Sequence, residues 1–142
     1  MSYEDLSNEK KPTRKLLMPE GWRNQKIISV SYGTSKKGNP QFIFSMFDSE
    51  KNYTTDVYAI NVSGKRWALK SIMDACGYEK VDEKYDLSEE SVVKSTKDKE
   101  LCCLFEHEDN EWINRDGETI QTKQHRIVDF KPVEEVAWDE KL

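Results

Sequence analysis

The sequence predicts a mainly β domain: three strands, a helix, then two more strands. Three observations carry that prediction. The stretch from Ile27 to Ile60 breaks into three runs of strand-forming residues separated by short polar turns. Asn61 to Cys76 is the one segment with a sustained helical period. Leu101–Phe105 and Gln124–Phe130 then return to strand composition, on either side of an Asp-Gly turn.

The elements follow in order. Residues 1–15 are polar, contain Pro12 and show no period, which reads as a mobile arm. Leu16-Leu17-Met18-Pro19 is a short apolar entry suited to packing on a sheet edge, and Glu20-Gly21-Trp22 reads as a turn. Ile27, Ile28, Val30 and Tyr32 make the first strand. The loop Gly33–Pro40 is small, basic and turn-forming. In the second strand one face takes Phe42, Phe44 and Met46, and the other takes Ile43, Ser45 and Phe47. In the third, Tyr53–Ile60, Asp56 and Tyr58 share a phase. Charge is rarely buried unpaired, so Asp56 and Ser45 mark the outer face. Ile43, Phe47 and Tyr58 then lie outside too, either as a contact surface or beneath a covering segment. Short breaks make the three strands an antiparallel meander.

The helix is expected over about residues 63–76, with Ser63 as N-cap and Gly77 at the left-handed position after its end. Ala68, Leu69, Ile72, Met73 and Cys76 form its apolar stripe, and Lys65, Arg66 and Lys70 face water. Ser88 caps a second, short helix through Ser95. Arg115-Asp116-Gly117 joins two arms into a hairpin that projects beyond the barrel. Pro132 ends the fifth strand. Three strands, a helix and two strands is the connectivity of the OB-fold, a five-stranded Greek-key barrel. There the helix sits between strands three and four, and the loops after strands one and four frame the binding face. Here those loops are Gly33–Pro40 and His107–Lys123.

The 142 residues carry a net charge of -5. Residues 21–78 hold eight Lys or Arg against four acids, whereas residues 79–120 hold fourteen acids against six bases. The acidic average therefore hides a basic meander, with room for a polyanion. The mean hydropathy of -0.86 and the lack of any long apolar run predict no membrane span and a cytoplasmic location. Three cysteines, two of them adjacent, argue against a disulfide framework. Cys102, Cys103, His107 and His125 lack metal-ligand spacing, so neither metal nor cofactor is expected. No nucleophile motif or phosphate-binding loop is present, and a non-catalytic role is expected.

Binding of single-stranded nucleic acid needs a basic groove along the phosphates and aromatic faces for the bases. Lys36, Lys37, Arg115 and Lys123 are the candidate cations, and Tyr32, Phe47, Tyr58 and Trp112 the candidate platforms. Taken singly, each aromatic is more often core than platform. Their joint placement beside basic loops points to binding.

Gly21-Trp22, Ser35-Lys36-Lys37-Gly38-Asn39-Pro40, Trp67-Ala68-Leu69-Lys70, Ala75-Cys76-Gly77 and Asn114…Arg126-Ile127…Phe130-Lys131-Pro132 follow one another in a characteristic order. In this the chain resembles a family of small bacteriophage OB-fold proteins, several of them single-stranded-DNA-binding, over about residues 16–132. The resemblance implies an OB-fold domain over 16–132 that binds single-stranded DNA during phage replication or recombination inside a bacterial host. It does not assign the contact residues. Residues 133–142 read as an acidic tail, with Trp138, Asp139 and Glu140 as a hook for a replication or recombination partner. Self-association is compatible with this. The acidic balance keeps an alternative open: an OB-fold interaction module that docks a replication, recombination or host protein.

Overall fold

The computed structural model describes residues 16–135. The expected arm, residues 1–15, and most of the expected tail, with Trp138, Asp139 and Glu140, lie outside the described residues. The elements are β1 (Gly21–Thr34), β2 (Pro40–Asp48), β3 (Tyr53–Ile60), α1 (Trp67–Ala75), α2 (Glu89–Thr96), β4 (Glu100–Ile113) and β5 (Thr119–Lys131), followed by a 3-10 turn, Val133–Glu135. The five strands form one antiparallel sheet in the order β3-β2-β1-β4-β5. Where the sequence led us to expect a closed barrel, this sheet is open, with β3 and β5 as its edges.

The alternation in β2 sets the two faces. Phe42, Phe44 and Met46 are fully buried, while Ile43, Ser45 and Phe47 are half-buried on the other side. Residues directly opposite in an antiparallel pair share a face. Ile43 is opposite Tyr58, Ser45 opposite Asp56 and Phe47 opposite Thr54, so the expected outer phase is observed.

β1 is longer than its apolar run. Gly21–Lys26, which reads as a turn and a polar lead-in, is strand paired with Leu101–Phe105 and Glu100 of β4. A bulge between Ile27 and Ser29 then changes the phase of the rest of β1. Ile27 faces inward opposite Met46, and after the bulge Val30 and Tyr32 face inward opposite Phe44 and Phe42.

The helix starts later than expected. Ser63 is not its cap: Gly64 takes φ +83 in a turn closed by Lys65 N–H on the Val62 carbonyl, and α1 begins at Trp67 without a side-chain cap. Its end is as read, with Tyr78 N–H on the Met73 carbonyl and Gly77 at φ +84. Ser88 does cap α2, accepting from Ser91 N–H at 3.3 Å. The projecting hairpin is not a separate unit. β4 and β5 stay paired from Cys102–Lys131 out to Ile113–Thr119, and beyond Phe105 they leave β1 behind as a two-stranded ribbon.

The core lies between the inner face of the sheet and the two helices. Leu69, Ile72 and Met73 of α1 and Val92 of α2 pack there with Ile27, Phe42, Phe44, Leu101, Cys103, Phe105 and Phe130. Met18 joins them with no exposure, which places the entry segment over the gap between the sheet edges. Two histidines hold it. Met18 N–H donates to His125 Nδ1 at 3.1 Å, which leaves the His125 Nε2–H facing Thr55 Oγ1 of β3 at 3.3 Å. His107 Nε2 donates to the Met18 carbonyl at 2.6 Å. The His125 ring also lies 5.6 Å from that of Tyr53. The edges of the open sheet thus meet through side chains, not through a backbone ladder.

One end of the core is polar. Asp48, read from sequence as part of a polar break, is 1% exposed. Its carboxylate accepts from Arg23 Nε at 2.6 Å, Gln25 Nε2 at 2.8 Å and Lys51 N–H at 3.0 Å. Burial pushes the Asp48 carboxyl up, but these donors outweigh it and hold the group below its ordinary value.

Candidate nucleic-acid interface

The outer face of β1–β3 is built by three physical choices. The β2 alternation sends Ile43 and Phe47 outward. The Ser45 hydroxyl donates to Asp56 Oδ1 at 2.8 Å across the strands, which keeps the carboxylate at the wet surface. The β1 bulge leaves Ile28 at 42% exposure. Tyr58 is 59% exposed, the most open aromatic on this face. Phe47 lies opposite Lys26, an exposed cation that sequence reading passed over because it precedes the apolar run. Ile43 and Phe47 are four residues apart, so the apolar strip runs roughly 13 Å along β2.

Lys36 and Lys37 occupy the turn between β1 and β2 and are exposed. Ser35 and Asn39 close that turn: Ser35 N–H donates to the Asn39 carbonyl at 2.8 Å, and Ser35 Oγ accepts from Asn39 N–H at 3.1 Å. Gly38 takes φ +84 there, where any other residue would be strained. The turn therefore presents its two lysines from a fixed frame. Lys26, Lys36, Lys37, Arg115 and Lys123 make no ion pair among the described residues. Arg23, by contrast, is committed to Asp48 and Glu50 and is not a surface cation.

The expected site residues divide among three places. Phe47 and Tyr58 share the outer face, with the Ser45–Asp56 pair between them and Ile43 opposite Tyr58. Tyr32 does not join them. It stands opposite the buried Phe42, with ring centroids 4.6 Å apart, on the core side of the sheet. At 43% exposure it forms the rim of the core next to the lysine turn. Trp112, 51% exposed, and Arg115 belong to the distal ribbon. That ribbon extends past the Gly21 end of β1, whereas Lys36 and Lys37 lie past the Thr34 end. Lys123 sits nearer the ribbon's base, lining a recess with Leu16, Leu17, Tyr53 and His125. The two basic loops therefore bracket the sheet from opposite ends.

The acids of the ribbon are partly neutralised. Glu108 accepts from Gln124 Nε2 at 2.6 Å and pairs with Arg126 at 3.3 Å. Among the described residues no cluster of three His, Cys, Asp or Glu side chains could hold a metal ion. Among the described residues no helix is long and apolar enough to cross a membrane. Burial pushes the Cys76 thiol up to about 12, which keeps it protonated. No protein-family model matches the chain, and neither does any curated protein.

Proposed function

We propose that the domain binds single-stranded DNA without sequence preference and without catalysis, as a phage replication or recombination protein would. One observation carries this reading: an apolar and aromatic strip on the outer face, exposed at Ile28 and Tyr58 and half-buried at Ile43 and Phe47, borders Lys26, Lys36 and Lys37, which make no ion pair among the described residues. A base stacks on an exposed aromatic at about 1–3 kcal/mol, and phosphates track the cations. The strand order supports an OB-type domain. An OB barrel needs β3 and β5 as neighbours, and here their side chains already meet at Thr55 and His125. In such a domain the β2–β3 face is the binding face.

The test is fluorescence anisotropy of labelled single-stranded oligonucleotides at two salt concentrations. Binding should weaken as salt rises, and a duplex of the same length should bind less well. An absence of binding at low salt overturns the reading. A second reading has its own support. Trp112 and Ile113 are 51% and 72% exposed near the tip of the ribbon, among carboxylates. That surface fits a protein partner better than a polyanion. Under this reading Trp112→Ala abolishes partner binding and leaves oligonucleotide affinity unchanged.

A further inference from the structure

A groove beside α1 belongs to neither the outer face nor the ribbon. It encloses about 570 Å³ between α1 and the segment that carries Lys84, Tyr85 and Leu87. Tyr85 and Leu87 supply apolar lining, and Trp67 borders it at 57% exposure. Arg66, Lys70 and Lys84 supply cations. The adjacent carboxylate, Asp74, is already engaged by Lys70 at 3.0 Å and by the Tyr85 hydroxyl at 2.5 Å. An apolar lining with a cationic rim fits an acidic peptide that carries one bulky apolar side chain.

This chain contains such a segment. Residues 136–142 read Val-Ala-Trp-Asp-Glu-Lys-Leu, with Trp138 followed by Asp139 and Glu140. The path is short. The Trp67 ring lies 6.1 Å from that of Phe130, so the end of β5 approaches the groove. Trp138 is eight residues beyond Phe130, and even with the 3-10 turn Val133–Glu135 folded the chain spans roughly 20 Å. Charge complementarity and reach both select this occupant.

We propose that residues 136–142 dock in this groove within one molecule. Trp138 packs against Trp67 and Tyr85, and Asp139 and Glu140 face Arg66, Lys70 and Lys84. A docked tail is withheld from any partner until salt or a competing acidic peptide releases it. The proposal is independent of the DNA-binding reading.

The experiment uses the full chain labelled with 5-fluorotryptophan, whose four signals come from Trp22, Trp67, Trp112 and Trp138. Single Trp→Phe variants assign them. Trp138→Ala should shift the Trp67 signal and leave that of Trp22 in place. Lys70→Glu with Lys84→Glu should move the Trp138 signal to the position it has in a free 133–142 peptide. Circular dichroism of each variant confirms the fold. Diluting the protein should change nothing. A Trp67 signal indifferent to Trp138→Ala overturns the proposal, as does a wild-type Trp138 signal at the free-peptide position in low salt. A Trp138 shift lost on dilution assigns the groove to a second copy's tail, and also overturns it.

Discussion

Tyr58→Ala is the sharpest probe of the outer face. Tyr58 is 59% exposed, and its neighbour across the strands is the half-buried Ile43. Such a cross-strand pair contributes about 0.2–1 kcal/mol, so the variant should lose less than roughly 1 kcal/mol of stability. The same truncation at the fully buried Phe42 would cost about 3–5 kcal/mol. If a base stacks on the Tyr58 ring, its loss removes about 1–3 kcal/mol of binding, a rise in Kd of roughly 5- to 150-fold. Oligonucleotide affinity should thus fall sharply while Tm moves by only a few degrees. Tyr58→Phe keeps the ring and should bind like the wild type. Anisotropy titration and thermal melting on the same samples read both quantities. Wild-type affinity in Tyr58→Ala would refute the stacking argument. Equal losses in Tyr58→Phe and Tyr58→Ala would refute it too, because the hydroxyl and not the ring would then be at work.

Further outcomes follow from the lysine turn, the buried acid and the histidine clamp. Lys36→Ala with Lys37→Ala should leave Tm unchanged and lower the slope of log K against log salt by roughly 1.4, the value for two lost phosphate contacts on a single strand; an unaltered slope removes the turn from the DNA path. Asp48→Ala strips a buried acceptor from Arg23 and Gln25 and should cost about 3 kcal/mol in urea unfolding. Because the folded state holds Asp48 below its ordinary value, that contribution is present at neutral pH and is lost as pH falls through the lowered pKa. Asp48→Asn should therefore flatten the acid limb of the stability curve. His125 is shifted down as well, by burial first and then by the nearby His107. The unfolded chain binds the proton more readily, so stability should be complete above the ordinary histidine value and decline as pH falls below it. Melting His125→Gln from about pH 5 to 8 should show a shallower decline than the wild type; an identical decline would move the titration elsewhere.

What could be read in advance depended on whether a residue's neighbours were close in sequence. The β2 pattern was legible because alternation is local, and the Ser45–Asp56 pair fixed which side was wet. Gly77, Ser88 and the Asp116-Gly117 turn were legible for the same reason, since each satisfies backbone groups within a few residues. Gly21–Lys26 was not. Its polar residues look like a loop until Arg23 and Gln25 meet Asp48, more than twenty positions away. The acidic stretch Glu106–Glu111 looked like a loop because a ribbon without a third strand buries neither face and so shows no apolar alternation. The role of the histidines was hidden because their partner is the Met18 backbone, which has no sequence signature. Tyr32 shows what this means for the candidate site. Counting by twos from the buried Ile27 puts Tyr32 on the outer face with Tyr58, and one bulged residue reverses that. The aromatic grouping expected from sequence therefore shrinks to Phe47 and Tyr58. Beside those two rings, Ile28 and Ile43 supply apolar contact, and Trp22, in phase with Lys26 on β1, lies on the same face with Lys131 Nζ 5.0 Å from its ring.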